Sequence, residues 1–141
     1  MTNSKKYPAI EGLFTWADND PHLIGGRCES CGSYCFPKSS NIHKPGCKEI
    51  LVKEVLLNRK GKLNSYTIQY YPPPAPFVSP DPFVPYAVGL VALPEGIEVL
   101  GIITGCKLEE LRTSMDMQLI VEQMYTDESG NEVLGWKFKP V

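Results

Sequence analysis

Cys28-Glu-Ser-Cys31-Gly32 is followed, sixteen residues after Cys31, by Lys44-Pro45-Gly46-Cys47. A Cys-x2-Cys turn presents two thiolates from one tight backbone knuckle, which is half of a tetrahedral zinc site. The other half requires a similar turn, and here that turn holds one cysteine where a complete ribbon holds two. Cys28, Cys31 and Cys47 are three expected ligands. His43, four residues before Cys47, is the preferred fourth because zinc accepts either ligand type at such spacing. Cys35 is the rival, although it directly precedes Phe36-Pro37 in what reads as a strand leaving the knuckle. A degenerate ribbon without metal would instead keep its cysteines as small buried hydrophobes. A catalytic zinc needs an open position and a nearby general base, and nothing around Cys47 supplies one. The expectation is a structural zinc that staples a segment too short to hold a core of its own.

Other reactive side chains are sparse. His22 follows Pro21 and reads as an exposed turn residue. Cys106 would need His22 or His43 beside it to act as a nucleophile; the simpler expectation is a buried structural thiol. Gly25-Gly26 lacks the spacing and context of a phosphate loop, and Glu109-Glu110 reads as a solvated helix start. No catalytic residue is expected, so the chain does not read as a self-sufficient enzyme.

Composition sets the class. In 141 residues, 43% are hydrophobic and 21% charged, as in a soluble globular chain of one domain or one domain with an appendage. Met1 to Lys6 lacks the apolar stretch of a secretory signal, and no apolar run is long enough to span a membrane. A net charge of −2 argues against a nucleic-acid partner, which requires a concentrated basic surface. Four of the five cysteines fall between Cys28 and Cys47, an odd layout for a disulfide framework. The reading is a reduced, cytoplasmic, metal-binding protein.

The elements that must position these residues read as mainly β. Ile10, Leu13, Phe14 and Ala17 recur at helical spacing and predict one amphipathic helix over Pro8 to Asp18, within an N-terminal segment 1–22. A zinc ribbon follows over 23–48, with strands Leu23 to Arg27 and Tyr34 to Pro37. Over 49–141 alternating patterns predict a five-stranded barrel of the oligonucleotide/oligosaccharide-binding (OB) type with a helical insert before the fourth strand. Seven of the thirteen prolines lie between Pro72 and Pro85, so that stretch is an excursion outside the sheet. It offers Tyr71, Phe77 and Phe83 to a partner. The barrel tyrosines leave a single-stranded nucleic-acid binder as the alternative reading.

Four stretches occur in an ordered set: Phe14-Thr-Trp16 with Leu23-Ile-Gly-Gly-Arg-Cys28; Cys31-Gly32 with Phe36-Pro37; Gly61-Lys-Leu-Asn-Ser65-Tyr66-Thr67; and Pro85-Tyr86-Ala-Val-Gly-Leu-Val91 with Pro94-Glu95-Gly96. This set resembles the domain of unknown function 35 family, acyl-CoA-associated proteins with a rubredoxin-like zinc ribbon before an OB-type barrel. The departure is Lys44-Pro45-Gly46-Cys47, where the family has Cys-Pro-x-Cys. The resemblance implies a non-catalytic small subunit in a hetero-oligomer with a thiolase-like protein, whose own residues do the catalysis. It would stabilise that partner and help bind or channel acyl-CoA; a benzylsuccinate-type β-oxidation is one pathway such a subunit serves. If coenzyme A is bound, Lys38, Lys44, Arg59, Lys60 and Lys62 are the candidates for its phosphates.

Overall fold

The computed structural model describes residues 5–16, 20–38, 43–72 and 82–141. Among these residues, ten strands form two sheets. Three belong to the N-terminal part: β1 (Lys6–Pro8), β2 (Phe14–Thr15) and β3 (His22–Cys28). β4 (Tyr34–Cys35) and β5 (Val52–Leu56) flank β3 on its two edges, making a small antiparallel ribbon. The stretch Val52–Leu56, which the sequence groups with the barrel, therefore lies beside the ribbon strand β3.

The barrel consists of β6 (Lys60–Gln69), β7 (Tyr86–Ala92), β8 (Glu98–Ile103), β9 (Asp116–Thr126) and β10 (Glu132–Pro140). β6, β7 and β8 form a meander, β9 and β10 a hairpin. β9 returns to β6 and β10 lies parallel to β8, closing five strands into the predicted OB-like barrel. Inward residues of every barrel strand fill it: Leu63, Val91, Val99, Ile103, Met117, Leu119 and Phe138 are all buried. Phe14, Leu23 and Leu57 continue the same core beneath the ribbon. Trp136 joins the two parts. Its ring lies edge-on to Phe36 of the ribbon at 5.5 Å and to Phe14 at 6.0 Å, and its indole N–H donates to Leu100 O at 3.0 Å.

The predicted N-terminal helix is not formed. Gly12 sits at φ +83, in the left-handed region that ends a right-handed helix. Backbone partners on other strands take the hydrogen bonds a helix would make internally. Ala9 N–H donates to Leu134 O at 2.8 Å, and Leu13 O accepts from Ile24 N–H at 2.7 Å. The apolar residues also diverge, because Phe14 is buried whereas Ile10 is 60% exposed. Ala17 and Asp18 lie outside the described residues. Among those described, the one helical turn is a 3-10 turn, Leu108–Glu110, between the third and fourth barrel strands. Among the described residues no helix is long and apolar enough to cross a membrane.

β1 is clipped along β10 at Lys6–Glu132, Tyr7–Val133 and Pro8–Leu134. The Tyr7 hydroxyl donates to the Asp127 carboxylate, which raises the phenol from 10.0 to about 12 and lowers the Asp127 carboxyl. The fold thus holds the neutral phenol. Its contribution is full below the range of a free tyrosine and disappears as pH climbs through about 12. Ultraviolet titration should reveal one tyrosine ionising well after the exposed ones, and Asp127→Asn should remove that late step. A second expectation concerns the core. Phe138 is 0% exposed at the strand that closes the barrel, so Phe138→Ala should destabilise the fold by about 3–5 kcal/mol in urea unfolding.

Candidate metal centre

Two turns bring the ligand atoms together. In the first, Gly32 N–H returns to Cys28 O at 2.7 Å and Cys28 N–H donates to Ser33 O at 2.8 Å. In the second, Cys47 N–H donates to Lys44 O at 3.1 Å. Gly32 and Gly46 both hold positive φ, +75 and +84, where a side chain would be strained. The Gly follows the knuckle cysteine in one turn and precedes it in the other, so the thiols converge.

Cys28, Cys31, His43 and Cys47 place their ligand atoms within 4.8 Å of one another, a group that could hold a metal ion. The distances allow a direct test. Zinc bonds of about 2.3 Å to sulfur and about 2.0–2.1 Å to nitrogen, arranged tetrahedrally, put S···S near 3.8 Å and N···S near 3.6 Å. Cys28 Sγ to Cys47 Sγ is 3.8 Å, and His43 Nδ1 lies 3.5 Å from Cys31 Sγ and 3.7 Å from Cys47 Sγ. The residues fit a four-coordinate zinc with three thiolates and one imidazole. His43 Nε2 is buried without a hydrogen-bond partner, leaving Nδ1 to face the sulfurs. Cys35 stays outside the group, with its Sγ 3.6 Å from Lys38 O and buried.

The local electrostatics favour anionic sulfur at Cys28 and Cys31. The Ser33 hydroxyl, 3.2 Å from Cys31 Sγ, and the backbone N–H groups of Lys44 and Ser33 hold the Cys31 thiol down to about 5. The Cys31 and Leu51 backbone N–H groups lower Cys28. Burial and the neighbouring thiols raise Cys47, and the bond to Cys31 raises His43. Anionic sulfurs crowded this closely repel one another unless a cation lies between them.

The other sequence-predicted residues are dispersed. Lys38 is held by Glu54 at 3.3 Å, Arg59 by Asp20 at 3.4 Å and Lys62 by Asp116 at 2.9 Å. Lys44 and Lys60 have no carboxylate partner among the described residues. Tyr71 is 82% exposed, whereas Phe83 is half-buried and lies edge-on to Tyr86 at 6.2 Å. Phe77 lies outside the described residues. Cys106 is half-buried, and burial with the nearby Glu110 pushes its thiol up. Gly25-Gly26 lies within β3, where a Cβ on Gly26 would approach Val52 Cγ1 to 2.5 Å. Close strand packing accounts for the glycine.

Two features lay beyond the sequence patterns used. His22 is not a free turn residue: it opens β3, with Nδ1 donating to Leu57 O at 2.9 Å and Nε2 3.3 Å from the Asp20 carboxylate that also holds Arg59. Asp20 and Arg59 are far apart in sequence, so no local signal announced this tie between ribbon and barrel. The outer face of β7 and β8 carries Val88, Leu90, Leu100 and Ile102, while Ala87, Val91, Val99 and Ile103 point inward. Here the signal was present: apart from Glu98, both runs are apolar on both alternations, unlike a half-solvated strand. In nucleic-acid-binding barrels this face carries stacking aromatics beside basic residues; here it carries Tyr86, and neither strand holds a lysine or arginine.

Comparison with known proteins places this geometry. A model of the ChsH2 C-terminal OB-fold domain matches residues 54–122. A DUF35 domain-containing scaffold protein of Methanocaldococcus jannaschii is 31% identical over 124 residues, covering 84% of this chain and 82% of the relative. One from Pyrococcus furiosus is 34% identical over 120 residues, covering 84% and 83%. The benzoylsuccinyl-CoA thiolase subunit BbsA of Thauera aromatica is 27% identical over 121 residues, 86% of this chain and 78% of that one. A chain of the Ltp2-ChsH2(DUF35) aldolase superposes with a TM-score of 0.64 over 95% of this chain and 98% of its own, at 23% identity, which supports the fold. With a barrel and ribbon of this form and relatives similar over most of both lengths, the chain belongs to the DUF35 family.

Proposed function

We propose that this protein is the non-catalytic small subunit of a thiolase-type acyl-CoA enzyme, built around a structural zinc. The observation that carries the reading is its similarity over most of both chains to a protein named as a thiolase subunit and to others named as scaffolds. The site supports it chemically. Three thiolates and an imidazole complete a tetrahedral zinc, so the metal has no open position for substrate. Bound zinc would offset two of the three thiolate charges and tie the two knuckles together. The partner supplies the reacting groups. A substrate of the benzylsuccinate-type pathway is the finer form of the proposal, suggested by the Thauera relative's name. Lys44 and Lys60, without a carboxylate partner among the described residues, are the residues available to an anionic group such as a coenzyme A phosphate.

Two experiments test this. Metal analysis of the purified chain should give one zinc; His43→Ala should weaken or release it, as should Cys31→Ser, while Cys35→Ser keeps it. Retention by His43→Ala with loss in Cys35→Ser would reverse the ligand assignment. The second is co-purification. The tagged chain should carry a thiolase-type protein in fixed stoichiometry, and thiolase activity should appear with the complex and not with the isolated chain. A monodisperse monomer indifferent to such a protein would refute the assembly role.

A further inference from the structure

We infer that the partner adds an extended strand to the outer edge of β8, seating apolar side chains in the groove beside it. This rests on the reading of the chain as an enzyme subunit and assigns the contact that reading leaves open. Three observations select an extended polypeptide as the occupant.

The first is an unused backbone edge. Leu93 N–H donates to Ile97 O at 2.9 Å where the β7–β8 hairpin closes. Antiparallel bonding alternates from that pair, so Val99, Gly101 and Ile103 bond toward β7 while Glu98, Leu100 and Ile102 turn their amides to the other side. On that side β10 pairs with Ile102 and Ile103 only, because β1 has taken the opposite half of the β10 edge at Glu132 to Leu134. Among the described residues no strand therefore meets Glu98 or Leu100 there. Leu100 O is capped by the Trp136 indole, and its own N–H points outward beside it.

The second is the groove itself. It encloses about 300 Å³ where β8 and β10 diverge, lined by Ile10, Val88, Leu100, Ile102, Met124 and Trp136, with no charged side chain among its walls. Leu100 is 57% exposed. The third is the double-sided apolar pattern of β7 and β8. Strands of this kind occur where both faces are covered; the barrel core covers one face only. An extended segment meets both demands, its main chain bonding Glu98 and Leu100 and alternate side chains entering the groove. A helix laid in the groove would leave the edge amides unpaired.

The test uses the full chain and the thiolase-type protein that co-purifies with it. Hydrogen exchange of the β8 amides, compared free and in complex, should slow at Glu98 and Leu100. Leu100→Pro removes the outward N–H at an edge where proline leaves the β7 ladder intact, and Leu100→Asp places a charge in the groove. Each should weaken the complex by about tenfold or more, with the thermal melt of the isolated variant confirming that it folds. Unchanged exchange at β8 together with full binding by both variants overturns the strand addition while leaving the subunit role standing. Protection with loss in Leu100→Asp but full binding by Leu100→Pro would mean side-chain packing alone, and also overturns it. No thiolase-type protein on the wild-type chain removes the underlying reading and the inference with it.

Discussion

β10 is bound on both of its edges, and the molecule is organised by how those edges are shared. One edge is spent entirely on β9. The other is divided: its first three residues receive β1, and Lys137 and Phe138 receive β8. Closing the barrel requires the parallel contact with β8, since without it the meander and the hairpin are joined only through β6 and β9. The short contact is reinforced by a side chain, because Trp136 reaches Leu100 O where the strands have parted. Buried beneath it, Phe138 gives the closure its apolar content.

The same indole links the barrel to the ribbon. Phe14 and Phe36 approach its ring from two segments of the N-terminal part, and Leu23 and Leu57 carry the core across. Aromatic edge contacts contribute about 0.5–1.5 kcal/mol beyond their area, so the junction is apolar first and polar second. The His22–Asp20–Arg59 tie lies nearer solvent and adds direction to it. The two cysteine knuckles stand at the far end of β3, where the described residues form no comparable core. There a few residues of irregular chain must be held by something other than burial, and three sulfurs and an imidazole at tetrahedral spacing are suited to that task.

Much of this was legible in the residues. Cys-x2-Cys-Gly and Pro-Gly-Cys specify two turns whose thiols point inward, and His43 had the right distance from Cys47. Alternation and turn residues placed the barrel strands, because a period of two is a local property of half-buried sheet. The N-terminal helix failed for a reason that local pattern cannot express. Ile10, Leu13 and Phe14 have helical spacing, but β10 and β3 offer backbone partners, and Gly12 permits the turn between them. Tertiary hydrogen bonding outcompeted a periodicity too short to nucleate on its own.

The sequence by itself determined the knuckles and the strand periods, since each follows from the stereochemistry of a few adjacent residues; most of the proline-rich stretch lies outside the described residues. Only the tertiary structure decided that β5 pairs with the ribbon, that Cys35 stays outside the cluster while His43 joins it, and that among the described residues no strand pairs with the outward side of Glu98 and Leu100. Those outcomes depend on which distant strand reaches a given edge first. Strand partners compete for the same hydrogen-bonding groups, and the winner is set by the packing of the whole barrel rather than by any segment within it.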